Sequence, residues 1–258
     1  MKQPDDNGKK IKCRAFELDM LRGLAVLMMM LHHFIFDLRY LLGLNIFAFQ
    51  EAWWFDSLLR PVFLFIFLGV SGVCCTFSRS NSKRALKMIL AALLLTVATV
   101  AVWLITDLEL AIFFNILHLL AFGTLIYSLL EKKISTDKVL QSILIAAGSV
   151  LIWAATIIPY APRPEGYLLL PLGFLPQDRI VMGDYMPILP WLGFFFIGAA
   201  LGRLLYAGGC SLFPNAPQRL LKVVSPLTWL GRNALMVYIF HQPIILLILF
   251  GLRQIGLI

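Results

Sequence analysis

Apolar residues along this chain come in long unbroken runs, not in the short alternation of a half-buried strand or the 3.6-residue stripe of a surface helix. Seven runs reach about 20 residues, the length a helix needs to cross the hydrocarbon core of a bilayer. They cover 23–42, 58–77, 86–106, 110–130, 139–159, 187–206 and 234–252. Two further segments fit differently. Residues 166–176 (GYLLLPLGFLP) are too short and too rich in proline to span alone, and 216–231 carry Arg219 and Lys222 among leucines, as an interfacial helix on the membrane surface does. The pattern predicts an all-α transmembrane helix bundle of about seven spans: a basic tail over 1–21, then one transmembrane domain over 22–258.

Composition agrees. Of 258 residues, 60% are hydrophobic and only 14% charged, and the mean hydropathy is +0.85. So few charges cannot cover the surface of a soluble protein of this size, which excludes a soluble enzyme, a disordered chain and a secreted disulfide scaffold. The formal net charge is +8, but no basic stretch is interleaved with aromatic residues, so nucleic acid is not the partner expected. The bilayer is. Seventeen of the 22 Lys and Arg fall in the N-terminal tail and in alternate loops, while Arg39, Arg60, Arg163, Arg179 and Arg253 fall on the opposite side. The positive-inside rule then places the N-terminus in the cytoplasm and the chain as a multi-pass protein of the inner cell membrane. Glu51, Asp56, Asp107, Glu109, Glu165, Asp178 and Asp184 lie outside in this topology. The first run contains His32, His33 and Asp37 and lacks a small-x-small cleavage site, unlike a signal peptide. The four cysteines lack C-x-x-C spacing and are expected as reduced thiols with no metal site.

Ionisable groups at membrane depth are costly and mark function by default. All four histidines, His32, His33, His118 and His241, fall inside predicted spans. On the first span, Arg22 and His33 are separated by eleven positions, about 20° from three whole turns and about 16 Å along the axis. They therefore share one face, Arg22 at the inner surface and His33 near mid-membrane. Asp37 lies one turn further out, about 40° from His33, where it can orient the ring, whereas His32 points about 80° away from Arg22 on the other side. Arg22 equally fits a topology anchor paired with Asp19, and Asp37 a headgroup residue. Asn115 and His118 share a face, and His241 precedes Gln242-Pro243, whose proline cannot donate to the carbonyl of Ile239. Gly69 to Gly72, with Ser71, admits a neighbouring backbone or a narrow substrate; 198–202 forms a small-xxx-small packing stripe. Asp184 sits in an outer loop beside aromatics that also suit an interfacial belt. The G-x-S-x-G, H-E-x-x-H, Walker A and G-x-G-x-x-G patterns are absent.

Five stretches in order carry a resemblance: Phe16 to Asp37 (FELDMLRGLAVLMMMLHHFIFD), Phe67 to Gly72 (FLGVSG), Asn115 to His118 (NILH), Asp184-Tyr-x-Pro-x-x-Pro-Trp191, and Gly231 to Pro243 (GRNALMVYIFHQP). Together they resemble bacterial members of the heparan-alpha-glucosaminide N-acetyltransferase catalytic-domain family, within the transmembrane acyltransferases, whose first helix carries Arg, ten residues, then His. Arg22 and His33 fit that signature. The resemblance implies transfer of an acyl group, typically acetyl from cytosolic acetyl-CoA, to a hydroxyl or amine of a sugar or glycan, with no tightly bound cofactor. On this reading His33 is the catalytic base, Asp37 orients it, and Arg22, Arg79, Lys83 and Arg84 form a basic inner mouth for the CoA phosphates. Ser71, Asn115, His118, Asp184 and His241 are the remaining candidates for binding substrate. Direct transfer and an acyl-histidine intermediate both fit. A proton-coupled transporter using the intramembrane His and Asp, or an assembly protein, are the competing classes, and the oligomeric state, a homodimer included, is left open by the sequence.

Overall fold

The computed structural model of the protein describes residues 14–106, 111–177, 182 and 184–256. Among these it is helical throughout, with no strand: α1 (Phe16–Phe36), α2 (Arg60–Val73), α3 (Asn81–Thr106), α4 (Ile116–Lys133), α5 (Asp137–Ala155), α6 (Trp191–Leu205), α7 (Gln218–Val223), α8 (Ser225–Arg232) and α9 (Ala234–Gln254). π-Helical turns at Asp37–Leu41 and Phe55–Leu59 prolong α1 and lead into α2. Among the described residues, five helical segments are long and apolar enough to cross a membrane: Phe16–Leu41, Phe55–Val73, Asn81–Thr106, Asp137–Tyr160 and Ala234–Gln254. The multi-pass helical class is as the hydropathy pattern predicts. Of the other two expected spans, α6 has 15 residues, and α4 has 18 but ends in Glu131, Lys132 and Lys133.

Three local expectations change. The fourth run was expected to turn helical at 110; the helix begins at Ile116, because Asn115 caps it and such a cap needs extended backbone (φ −137°, ψ −172°). The surface helix expected over 216–231 is two short helices, α7 and α8, with Pro226 in the first turn of the second. Cys74 and Cys75 are free thiols as expected, but Cys210 is disulfide-bonded. Most of the basic tail (1–13) and the acidic residues Asp107, Glu109 and Asp178 lie outside the described residues.

The chain divides into two compact units, one formed by the N- and C-terminal segments (up to Phe67, and from Cys210) and one by Leu68–Gly209. In the first, α1 meets α8 and α9. A Cβ on Gly23 would stand 1.8 Å from the carbonyl oxygen of Leu227, and one on Gly231 equally close to that of Asp19. The contact is reciprocal, backbone on backbone. Further along, the His33 ring meets the His241 ring, and Leu38 clusters with Ile245 and Leu249. Gly23 to Gly231 and His33 to His241 have the same offset along the chain, 208 residues, so α1 and the α8–α9 segment run parallel and in register.

In the second unit α6 is the helix on which others close. Gly72 of α2 lies under the carbonyl of Phe195, Gly198 under that of Gly69, and Gly202 against Val73. Gly148 of α5 and Gly193 of α6 approach each other's carbonyls, and Gly123 of α4 makes room for Leu192 and Phe195. The small-residue stripe at 198–202 thus serves close packing. In a bilayer, where burial of apolar surface drives little association, such backbone approach supplies dispersion and Cα–H···O contact. Ser82 and Ser128 (2.6 Å) join α3 to α4.

Replacing Gly198 or Gly72 by Ala should therefore cost about 1–3 kcal/mol, because the atoms met are backbone and cannot yield. Gly69→Ala, whose Cβ would meet nothing within 4 Å, should be neutral or stabilising by up to about 1 kcal/mol. Melting temperatures of the three purified variants check this; equal losses at all three positions would show that α2 and α6 do not meet at these glycines.

Candidate active site

Within the first unit, α1 and the π-helical turn that prolongs it carry Asp19, Gly23, Val26, His33 and Asp37, spaced by four, three, seven and four residues, which keeps them on one stripe. At its N-terminal end Arg22 donates from Nη1 to the carbonyl of Gly231 (3.2 Å), and the buried Asp19 accepts from Arg14 Nε (2.6 Å) and stands 3.8 Å from Arg232 Nε. Glu17, also buried, accepts from Ser211 Oγ (2.7 Å) and the Leu212 amide (2.9 Å). Arg22 is thus an anchor between helices as well as the first member of the polar face.

Higher on the same face the His33 and His241 ring centroids are 5.1 Å apart. His241 is buried, and its Nδ1 lies 2.6 Å from the carbonyl oxygen of Tyr238. A carbonyl only accepts, so Nδ1 carries the proton and the lone pair of the neutral ring is on Nε2. Asp37, buried, receives a hydrogen bond on Oδ2 from Gln242 Nε2 at 2.8 Å. The helical-face argument from sequence holds: Arg22, His33 and Asp37 all meet residues of the C-terminal helices.

His32 faces another neighbour. Gln50, buried in the short helical turn Ala48–Glu51, stands with Nε2 2.8 Å from His32 Nδ1 and donates to the His32 carbonyl (3.2 Å). The carbonyl fixes the amide orientation, so Nδ1 of His32 accepts and its neutral tautomer is Nε2–H. Its ring stacks on Phe55 at 6.0 Å. This linker is tied to the end of α1 by Glu51, which accepts from Tyr40 (2.8 Å) and Arg39 (2.5 Å). Those two donors hold the Glu51 carboxyl below the usual carboxylate range.

The remaining candidates lie in the second unit. The Ser71 carbonyl, in a buried stretch of α2, accepts from Arg84 Nη2 (3.3 Å), whose Nη1 reaches Cys75 Sγ (3.6 Å). Arg84 thus satisfies the C-terminal end of α2, a common use for a cation there; Arg79 and Lys83 are exposed. Asn115 and His118 are the two halves of a capping box: Asn115 Oδ1 accepts from the Leu117 and His118 amides, and the Asn115 amide donates back to His118 Nδ1 (3.4 Å). His118 Nε2 meets Thr96 Oγ1 of α3 at 3.1 Å. Local architecture thus accounts for both residues. Asp184 adopts a left-handed backbone (φ 46°), a cost usually tolerated where the surroundings demand it. Beside it Tyr185 donates to the Leu170 carbonyl (2.6 Å), and burial pushes its hydroxyl up to about 12.

Sequence reasoning missed the polar partners. Gln242 and Gln50 were not singled out, since an uncharged amide carries no topology or titration signal; their neighbours His241 and Glu51 were the clues. It also counted Arg203 only as a topology charge, whereas Arg203 donates to Tyr127 (2.7 Å), pairs with Asp137 and lies 3.5 Å from Glu131, which accepts from Asn81 (2.9 Å).

Apolar helices of spanning length together with ionisable side chains at membrane depth define a polytopic membrane protein with an internal polar face. Residues 14–243 match the family described as heparan-alpha-glucosaminide N-acetyltransferase, catalytic, and the chain belongs to it. No curated protein and no solved structure matches the chain.

Asn115→Ala should destabilise the protein by about 0.5–2 kcal/mol, the usual cost of a lost N-cap, because the Leu117 and His118 amides lose their acceptor. Thermal unfolding checks it. An unchanged melting temperature would mean that the cap contributes nothing and would return both residues to the substrate-binding candidates.

Proposed function

We propose that the protein is an integral-membrane acyltransferase that moves an acetyl group from cytosolic acetyl-CoA to a hydroxyl or amine of a sugar. The observation that carries this reading is the meeting of His33 with His241 on the face of α1 that also bears Arg22 and Asp37, in a chain of this family. His33 acts as general base: its neutral imidazole takes the proton from the acceptor as the acceptor's oxygen or nitrogen attacks the thioester carbonyl. The carbon–sulfur bond then breaks and CoA leaves. Proton transfer of this kind contributes about 10²–10⁴-fold. The exposed Arg79 and Lys83 suit the phosphates of the donor. Asp184, with its strained backbone in the outer loop, suits the polar acceptor.

The topology that goes with this reading adds α4 and α6 to the five spans to make seven, in the inner cell membrane, with the N-terminus in the cytoplasm and 160–186 outside. Cysteine substitutions at Lys9 and Glu165, compared with the wild type, will report it through an impermeant thiol reagent on intact cells. Position 165 is expected to react and position 9 to be protected; the reverse would overturn the orientation and the cytosolic donor site with it.

For the chemistry, His33→Ala should lower turnover by about 10²–10⁴-fold while CoA still binds, because the inner end of α1 is about 16 Å from the ring. His32→Ala, which removes a contact with Gln50 and Phe55, should keep most activity, and Asp37→Asn should fall between. Turnover measured beside CoA affinity and folding decides it. A folded, inactive His32→Ala beside an active His33→Ala would sink the assignment.

A further inference from the structure

The polar face of α1 meets one group that general-base chemistry at His33 does not use. Gln242 follows His241 on α9, and its Nε2 donates to Oδ2 of Asp37 at 2.8 Å. Asp37 is only 5% exposed and opens the π-helical turn Asp37–Leu41, a distortion that recurs at functional sites. The other amide atom of Gln242, Oε1, is buried with no hydrogen-bond donor. A buried acceptor in that state carries its desolvation cost uncompensated, so an aliphatic side chain would fill the space more favourably. The amide is better explained by what it holds than by packing.

Two neighbouring residues of α9 thus engage two residues of α1 one turn apart: His241 meets His33, and Gln242 meets Asp37. A rotation of α9 that released Asp37 would also move His241 away from His33. Pro243 comes next in α9, and its missing N–H leaves this turn of the helix without one backbone bond.

We propose that Gln242 is a positioning residue of the acyl-transfer site, its amide fixing the Asp37 carboxyl group one turn from His33 so that the base and its orienting acid keep a single geometry. This rests on the acyltransferase reading above. Gln242 acts through Asp37, so its loss and the loss of the Asp37 carboxylate remove the same interaction.

The test uses the full-length protein in lipid nanodiscs with [14C]acetyl-CoA and D-glucosamine as the acceptor probe. The infrared carboxyl bands of Asp37 are identified as those lost in Asp37→Asn. They should shift in Gln242→Met, with Gln242→Leu as the second variant if the first does not fold, and should stay in place in Gln177→Leu, a change in an exposed loop. Gln242→Met should lower kcat about tenfold or more with KM for acetyl-CoA within about twofold of wild type. The double variant Asp37→Asn/Gln242→Met should be no slower than Asp37→Asn alone. Unmoved Asp37 bands, or losses that simply multiply, overturn the proposal. Failure of the wild type to transfer acetyl overturns the acyltransferase reading instead, and the infrared bands then decide the Gln242–Asp37 contact by themselves.

Discussion

The crossing of α1 and α8 at Gly23 and Gly231 sets the register on which the polar face depends. Each glycine lies under a backbone carbonyl of the other helix, so neither can carry a side chain without driving the two helices apart. Because α8 leads into α9 and both run parallel to α1, the glycine crossing works as the zero of a ruler. Ten residues beyond Gly23 stands His33, and ten beyond Gly231 stands His241, about 15 Å further along each helix. Helical rise alone then brings the two rings to the same level, where their centroids are 5.1 Å apart.

That geometry explains why polar groups are tolerated at this depth. A histidine or aspartate facing lipid has nothing to bond, but one held on a seam between helices finds partners before it meets hydrocarbon. Here the partners are of a consistent kind. Asp37 has the Gln242 amide, His241 the Tyr238 carbonyl, and His32 the Gln50 amide. Neutral amides and carbonyls satisfy the side chains and set tautomers without the large charge–charge interactions that would fix a protonation state. A site proposed to accept and return a proton is well served by such neighbours, because an amide donor on Asp37 and a carbonyl acceptor on His241 fix both side chains without adding a charge.

How much of this was legible in the sequence follows from which physical rule each feature obeys. Helical periodicity is a local rule, so the shared face of Arg22, His33 and Asp37, and the separation of His32 from it, could be read from spacing alone. The small residues of α2 and α6 were equally legible, since few alternatives account for glycine in an apolar helix. Where a helix begins is also local, yet Asn115 was read by its helical face and not by its power to cap. The pairing of Gln242 with Asp37 and of Gln50 with His32 depends on the register between segments far apart in the chain, which no spacing within one helix encodes.

The capping box at Asn115 and His118 shows how a histidine and an amide can serve helix architecture. Asn115 is fully buried, and its side-chain oxygen accepts from two backbone amides and faces the histidine ring, leaving little for a substrate. The motif reads chemically because it pairs a histidine with an amide, but the same pair is what a buried helix start requires: its first N–H groups have no partner within the helix. His118 then extends the cap to Thr96 of α3, joining two helices through one ring. An ionisable residue inside a span is therefore a functional candidate only until its partners are known. His118 meets a cap and a threonine, whereas His33 meets a second histidine, and that difference in partners is what favours His33 as the proposed base.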